Sequence, residues 1–209
     1  MATKQVVTQI ENKELVDKRH MQICKAASKL FAKKGYHTTT MRDISKASGI
    51  NLSYLYKYIS SKDDILYLFY RELGRRSRPI YEQLCQSHDQ DPIEELKSFI
   101  RFSLTTVHEL KHEFLTMYTE SRHLERDSLQ AVLSTESDMI KSLEKLIARG
   151  VEKKKFKTKD PFMAANIIQF LTVFEPLRGW NFKGRYTLEE FIESVTDFIM
   201  ASLGVEEEL

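Results

Sequence analysis

The chain has 209 residues, 30% of them charged and 42% hydrophobic, which is too apolar for a disordered chain and too charged for a membrane bundle. Seven glycines and four prolines leave few of the turn residues that a sandwich, barrel or nucleotide-binding sheet needs, so a mostly helical protein follows. The net charge of +2 hides a split: residues 1–80 hold 16 Lys and Arg against seven Asp and Glu, and residues 81–209 hold 16 against 23. A basic first third joined to an acidic remainder points to a polyanion-binding module carried by a body with another task.

Two cysteines, Cys24 and Cys85, are too few for a disulfide framework or a four-thiolate metal site, and a reducing cytoplasm is expected. The first twenty residues lack the basic, apolar and small-residue regions of a secretory signal, and the apolar stretch from Pro161 to Val173 is too short to span a bilayer.

In chain order, residues 1–14 show no sustained apolar period and are expected to form a flexible tail. From Val16 apolar residues recur three and four apart as far as Phe31, with Gly35 placed as the left-handed residue that stops the helix. Thr40-Met41-Arg42-Asp43 has the form of a capping box, starting a short helix that Gly49 ends. Asn51 caps a helix expected over 52–59, and Ser61-Lys62-Asp63-Asp64 opens another, bridging helix with Pro79 inside it. Further starts at Asp91-Pro92, Asp160-Pro161 and Thr187 predict helices over 92–110, 161–178 and 188–203, and a long apolar period predicts one over 127–149.

Two short helices joined by a tight glycine turn describe a helix-turn-helix. Ile44, Ala47, Ile50, Leu55 and Ile59 are expected to form its buried wedge, with the small Ala47 at the helix crossing. Asn51, Leu52, Ser53, Tyr54, Lys57 and Tyr58 would then face outward, rich in hydrogen-bonding groups and without a carboxylate side chain between Asp43 and Asp63. Such a face suits the major groove, where amides and hydroxyls reach base edges and Lys and Tyr reach phosphates.

The string TTTMRDISKASGINLSYLYKYISSKDDIL, with AASKLFAKKGYH before it, resembles the DNA-binding segment of the TetR family of bacterial regulators over about 50 residues. Thr39, Thr40, Arg42, Ile44, Ala47, Gly49, Tyr56, Tyr58 and Lys62 stand at the family's positions. Ile59 replaces a usual Phe, and Ser53-Tyr54 replaces a common Gly or Pro followed by a small residue, a change that bears on the operator sequence. The resemblance implies a cytoplasmic, all-α homodimer with a three-helix helix-turn-helix DNA-binding domain and a C-terminal helical ligand-binding and dimerisation domain. It implies phosphate contacts for Thr40, Tyr58 and Lys62, and base approach for Arg42, Ser53, Tyr54 and Lys57, with Tyr56 added to the DNA-facing set. The domains then run as a tail (1–14), the DNA-binding domain (15–60), a connecting helix (61–86) and the ligand-binding and dimerisation domain (87–209).

Ten of the thirteen residues from Phe162 to Phe174 are apolar, so that helix must be covered on more than one side. With the last helix it forms the expected dimer interface, through Phe162, Ile167, Ile168, Phe191, Val195, Phe198 and Ile199. A ligand pocket is expected from Phe99, Phe102, Ser103, Thr106, Phe114, Met117, Tyr118, Met139, Leu143, Phe170, Phe174 and Trp180, with Arg122, His123 and Arg178 as polar anchors. YTESRHLERD and EPLRGWNFKGRYTLEEF look like family members that respond to acyl or acyl-CoA compounds, implying a small apolar effector that releases a repressor from a palindromic operator.

His108-Glu109-Leu110-Lys111-His112 matches the zinc-peptidase pattern H-E-x-x-H, which on one helix holds a metal with two imidazoles and activates water with the glutamate. Its extended form would need Gly and His at positions 115 and 118, which are Leu115 and Tyr118. A regulator with no catalytic residues, no metal and no cofactor is therefore expected, against a zinc metallopeptidase or a helical protein-binding adaptor as alternatives.

Overall fold

A computed structural model describes residues 6–86 and 90–205. They form ten α-helices and no strand. In chain order these are α1 (Lys13–Lys34), α2 (Met41–Ser48), α3 (Leu52–Leu55), α4 (Lys62–Gln86), α5 (Pro92–Glu109), α6 (Lys111–Glu120), α7 (Arg126–Glu152), α8 (Pro161–Val173), α9 (Glu175–Phe182) and α10 (Leu188–Ser202). A 3-10 turn at Ser121–His123 precedes α7. The remainder of the expected tail, residues 1–5, lies outside the described residues. Among the described residues no helix is long and apolar enough to cross a membrane.

The chain packs as two units, residues 1–75 with 112–134 and residues 76–111 with 135–209, so α4 and α7 each run through both. In the first unit, Ile23, Ala27 and Phe31 of α1, Ile44 of α2, Leu55 of α3, and Ile65, Leu66 and Phe69 of α4 share one core with Met117 and Val132. Buried Asp63, in the first turn of α4, closes this core on one side: its carboxylate accepts the Glu125 amide (2.8 Å) and the Ser128 hydroxyl (2.9 Å). A side chain of one helix thus satisfies donors at the start of another, where no intrahelical carbonyl is available.

In the second unit, Phe99, Ile100 and Leu104 of α5 pack with Leu143, Leu146 and Ile147 of α7, Ala165 and Ile168 of α8, and Phe191, Ile192, Val195 and Ile199 of α10. Tyr81 lays its ring edge-on to Phe99 (5.4 Å) and donates its hydroxyl to Gln169 Oε1 (2.8 Å). Glu95 of α5 and Arg149 of α7 form a buried ion pair.

Several expected helices differ in extent. The helix predicted over 161–178 is two, because Pro176 cannot donate to the Thr172 carbonyl: α8 stops at Val173 and α9 begins at Glu175. Pro79 lies inside α4, which continues past it to Gln86. Gly35 has a positive φ (+85°) but an extended ψ (157°), a region only glycine occupies readily, rather than the left-handed helical values expected. The segment read as a flexible tail is docked from residue 6: Val6 belongs to the first core, and Asn12 Oδ1 caps α1 by accepting the Leu15 amide (3.0 Å).

Gly150 marks a close approach of backbone to a buried ring in the second unit. A Cβ there would overlap the ring of buried Phe156, while the Gly150 carbonyl accepts the amides of Lys155 (2.8 Å) and Phe156 (3.1 Å). Gly150→Ala is therefore expected to destabilise the second unit by about 1–3 kcal/mol, an overpacking cost, despite the better helix propensity of alanine. Thermal unfolding checks it; an unchanged or raised midpoint would show that the Phe156 ring yields freely.

Candidate nucleic-acid interface

Thr40 opens α2 as the sequence predicts. Its hydroxyl accepts the Asp43 amide (3.2 Å), and Asp43 Oδ2 accepts the Thr40 amide (2.8 Å). Lys34 Nζ, 2.6 Å from Asp43 Oδ2, with the Thr40 hydroxyl (2.6 Å) and the Thr40 amide donating to the same oxygen, holds the Asp43 carboxyl well below the usual carboxylate range. Gly49 turns the chain with φ +70° and ψ 12°, a left-handed conformation that costs glycine little, and Asn51 Oδ1 then accepts the Ser53 amide (2.9 Å) to start α3.

α3 spans only Leu52–Leu55, shorter than the expected 52–59. Beyond Leu55 i→i+3 bonds, Lys57 N to Tyr54 O (3.0 Å) and Tyr58 N to Leu55 O (3.0 Å), mix with the i→i+4 bond from Ile59 N to Leu55 O (3.2 Å). Tyr58, three residues after Leu55 and next to Ile59, falls on their buried face. Expected on the outer face, its side chain is 1% exposed and sits in the core beside Leu55 and Ile59. A second correction concerns the wedge: Ala47 is exposed, and Ser48 takes the buried position against the turn. Ser45 Oγ donates to the Ile50 carbonyl (2.7 Å), closing that turn from within.

The short segment is held from outside by residues that local sequence patterns do not reveal. The Lys57 carbonyl accepts the Gln9 amide (2.9 Å) and the Thr8 hydroxyl (3.0 Å). The Tyr58 carbonyl accepts His20 Nε2–H (2.8 Å), and His20 Nδ1 in turn accepts from the Arg71 guanidinium of α4 (3.0 Å). Because Arg71 has protons only to give, Nδ1 must be the acceptor, so His20 is the neutral Nε2–H tautomer. Gln22 Nε2 donates to the Ser48 carbonyl (2.6 Å) at the end of α2, and Arg19 orients Gln22 by donating to its Oε1 (2.8 Å). α1 therefore presents side chains to both ends of the helix-turn-helix.

The resulting outer surface carries Arg42, Ala47, Asn51, Ser53, Tyr54 and Tyr56, the two tyrosines at 53% and 46% exposure, with Leu52 and Lys57 half-buried. Lys57 Nζ lies over the Tyr54 ring at 4.7 Å. Lys62 is turned partly inward: its Nζ donates to the Tyr36 carbonyl (2.6 Å) and sits 4.3 Å from the Tyr36 ring centre, and burial draws its pKa below the ordinary lysine value. The assembled face offers cationic, amide, hydroxyl and phenol groups on a rigid support.

Residues 23–67 match the family model for bacterial regulatory proteins of the tetR family, and residues 89–203 match that for a tetracyclin repressor-like C-terminal domain. The chain belongs to the TetR family of transcriptional regulators. It is 26% identical over 196 residues to the HTH-type transcriptional regulator HbdR of Aromatoleum sp. (strain CIB), across 92% of this chain and 82% of that one. Its fold is similar to that of the TetR-family regulator PfmR from Thermus thermophilus (TM-score 0.76, 25% identity, 87% of this chain and 98% of that one). The regulator FadR from Bacillus subtilis, solved in complex with stearoyl-CoA, also shares it (TM-score 0.70, 21% identity, 88% and 98%). TetR-family regulators act by binding DNA and are not enzymes.

The H-E-x-x-H string of this TetR-family chain does not lie on one helix. α5 ends at Glu109, Leu110 takes the cap position, and α6 begins at Lys111. His108 Nδ1 pairs instead with Glu175 Oε1 (3.0 Å). The residues expected to line a ligand pocket divide between the units. Phe114 and Met117 are buried in the first, which also holds exposed Tyr118 and Arg122. Of those in the second, Phe99 is core; Phe102, Met139 and Phe174 are half-buried; and Phe170, Arg178 and Trp180 are exposed. A concavity of about 340 Å³ in the second unit is bordered by Gln83, Asp91, Glu94, Glu95 and Ser98, and by none of the expected residues. Of the expected dimer residues, Ile168, Phe191, Val195 and Ile199 fill the second unit's own core, whereas Phe162, Ile167 and Phe198 are exposed.

His20 gives this interface a pH dependence. Burial, opposed by the bond to the Tyr58 carbonyl and reinforced by Arg71, lowers its pKa from the ordinary value of 6.5. Between that value and the lower folded one, the unfolded chain binds more protons, so the contribution is complete above about pH 6.5 and declines as pH falls below it. His20→Gln, which keeps an N–H donor and does not titrate, should show a shallower fall of the melting midpoint than wild type between pH 7.5 and 5. Parallel curves would contradict this assignment.

Proposed function

We propose that this chain is a cytoplasmic, homodimeric repressor that covers a near-palindromic operator and is released by a small apolar effector of the acyl or acyl-CoA class. The observation that carries the DNA part is the exposed set Arg42, Asn51, Ser53, Tyr54 and Tyr56 with half-buried Lys57 beside it, presented without an acidic side chain between Asp43 and Asp63 on a turn braced by α1. On this reading Ser53, Tyr54 and the Asn51 amide approach base edges with Leu52 against them. Arg42 enters from α2, and Thr40, Lys57 and Tyr56 meet the backbone. Lys62 adds positive potential from its half-buried position.

Pairing of two chains is supported by the apolar surface of the second unit. Phe162, Met163, Ile167 and Phe170 of α8 and Phe198 of α10 are each between 52% and 64% exposed, a concentration that a lone soluble chain seldom leaves in water. A two-fold axis through this surface would offer two copies of α3 to successive major grooves, about 34–36 Å apart, hence the near-palindrome.

The effector class is supported by the likeness to FadR, whose solved complex holds stearoyl-CoA. Phe102, Met139, Phe170, Phe174 and Trp180 supply apolar area in the second unit, with the Arg178 guanidinium 5.6 Å from the Trp180 ring as a cationic anchor. Release then follows from α4, which runs through both units and carries Arg71. A shift of α4 moves Arg71, Arg71 moves His20, and His20 holds the Tyr58 carbonyl at the end of the DNA-facing segment. A coupling of about 1–3 kcal/mol is typical of such linkage.

Fluorescence anisotropy on the chain's own promoter fragment, across a salt series, tests the reading. Affinity should fall steeply with salt, and Lys57→Ala should weaken binding and reduce the slope of log K against log salt by about 1. Ile167→Glu should give monomers by sedimentation and lose operator binding. A salt-independent affinity, or full binding by a monomeric variant, would refute the proposal.

A further inference from the structure

Outside the DNA-facing surface, three potential metal-binding side chains converge in the first unit. His37 lies in the connection between α1 and α2, Glu120 ends α6, and His123 closes the 3-10 turn. Their ligand atoms all lie within 4.8 Å of one another. His37 Nε2 and His123 Nε2 face each other at 2.9 Å, and Glu120 Oε2 stands 3.6 Å from His123 Nε2.

The carboxylate of this cluster is the member left unsatisfied. Two Nε2 atoms pointing at each other can be reconciled by only one proton. Glu120 Oε2 is buried yet accepts no hydrogen bond among the described residues. A buried carboxylate oxygen left so is unfavourable, and a cation between it and the two imidazoles would satisfy all three atoms together.

We propose that His37, Glu120 and His123 form a binding site for a borderline divalent cation, with zinc as the best match. Two imidazole nitrogens and one carboxylate oxygen are a three-ligand zinc set that leaves a fourth position for water. Ligands about 2.0–2.1 Å from a tetrahedral ion stand about 3.3 Å from each other, so the observed separations need shifts of less than about 1.5 Å to close around one. Zinc and its neighbours favour imidazole over the all-oxygen sets of calcium and magnesium.

The surroundings support the geometry and impose one rearrangement. The Tyr36 ring stacks on the His123 ring (5.6 Å between centres, 10° between planes), fixing its orientation. His37 is exposed, giving an ion a path from solvent. Arg122 Nε donates to His123 Nε2 (3.2 Å), so that exposed guanidinium must give up this bond and turn into solvent when the ion binds. The other nearby cation, Lys62, is held by the Tyr36 carbonyl. Bound metal would tie the α1–α2 connection, three residues ahead of the Thr40 cap, to the turn after α6, bracing the frame that carries α2. The ligand set shares no residue with the H-E-x-x-H string.

The test uses tag-free, chelator-stripped full-length protein at pH 7.5, titrated with zinc against a chromophoric chelator. One ion per chain should bind, and zinc should raise the melting midpoint. Outer-shell partners alone are worth about 10–100-fold in metal affinity, so His37→Ala, His123→Ala and the isosteric Glu120→Gln should each weaken binding at least about tenfold and abolish the thermal shift. A His108→Ala/His112→Ala double variant should bind as wild type does. Should an alanine variant fail to fold, Glu120→Gln decides alone. No saturable binding by wild type, equal binding by wild type and Glu120→Gln, or loss of binding in the His108/His112 variant would overturn the proposal.

Discussion

The backbone carbonyls of Lys57 and Tyr58 are where the segment proposed to face DNA is held, by donors from Thr8, Gln9 and His20. A helix of four residues is below the length at which a helix sustains itself, since nucleation fixes several dihedrals for a single hydrogen bond. α3 persists because donors from elsewhere converge on the turn after it: Thr8 and Gln9 on one carbonyl, His20 on the next. Burial of Leu55, Tyr58 and Ile59 in the common core holds the same turn from beneath. The outward side chains are thus placed by contacts they do not themselves make.

This division of labour explains how one surface can be both rigid and rich in polar groups. The groups that face outward are spaced by the backbone, and the backbone is fixed by α1 and by the segment ahead of it. The same arrangement gives α4 a route to the interface, because Arg71 orients the imidazole that binds the Tyr58 carbonyl. Arg71, His20 and the Tyr58 peptide group thus form a continuous chain of hydrogen bonds from α4 to the turn after α3. Neutral His20 is essential to it, since its two nitrogens play opposite hydrogen-bonding roles.

Much of this was legible in the amino-acid order, because helix starts are local chemistry. Thr40, Asn51, Asp91, Asp160 and Thr187 all cap as their side chains require, and Gly49 turns where no other residue would do so cheaply. The family resemblance rested on the same short stretch. What stayed hidden depends on contacts distant in sequence. Periodicity marks Ala47 as inward, yet the α1 side chains meet Ser48. Tyr58 stands three residues after Leu55 and one before Ile59, so helical spacing places it with them on the buried face, a pattern that its polar hydroxyl masks. Apolar spacing in α8 and α10 shows that these helices are covered, without separating Ile168 and Ile199, which face their own unit, from Ile167 and Phe198, which face out. The break at Pro176 follows from local rules and was readable; α6 was signalled by Phe114 and Met117 three apart but obscured by the polar run around them.

Hydrogen exchange of the free protein at the Lys57, Tyr58 and Ile59 amides tests the account most directly. If the turn is set before any DNA arrives, these amides exchange slowly, near the rate set by opening of the whole first unit, although they follow a helix of a single turn. Exchange close to that of an unstructured chain would show that the segment is ordered only by its target, and the bracing by His20, Thr8 and Gln9 would not be what positions it.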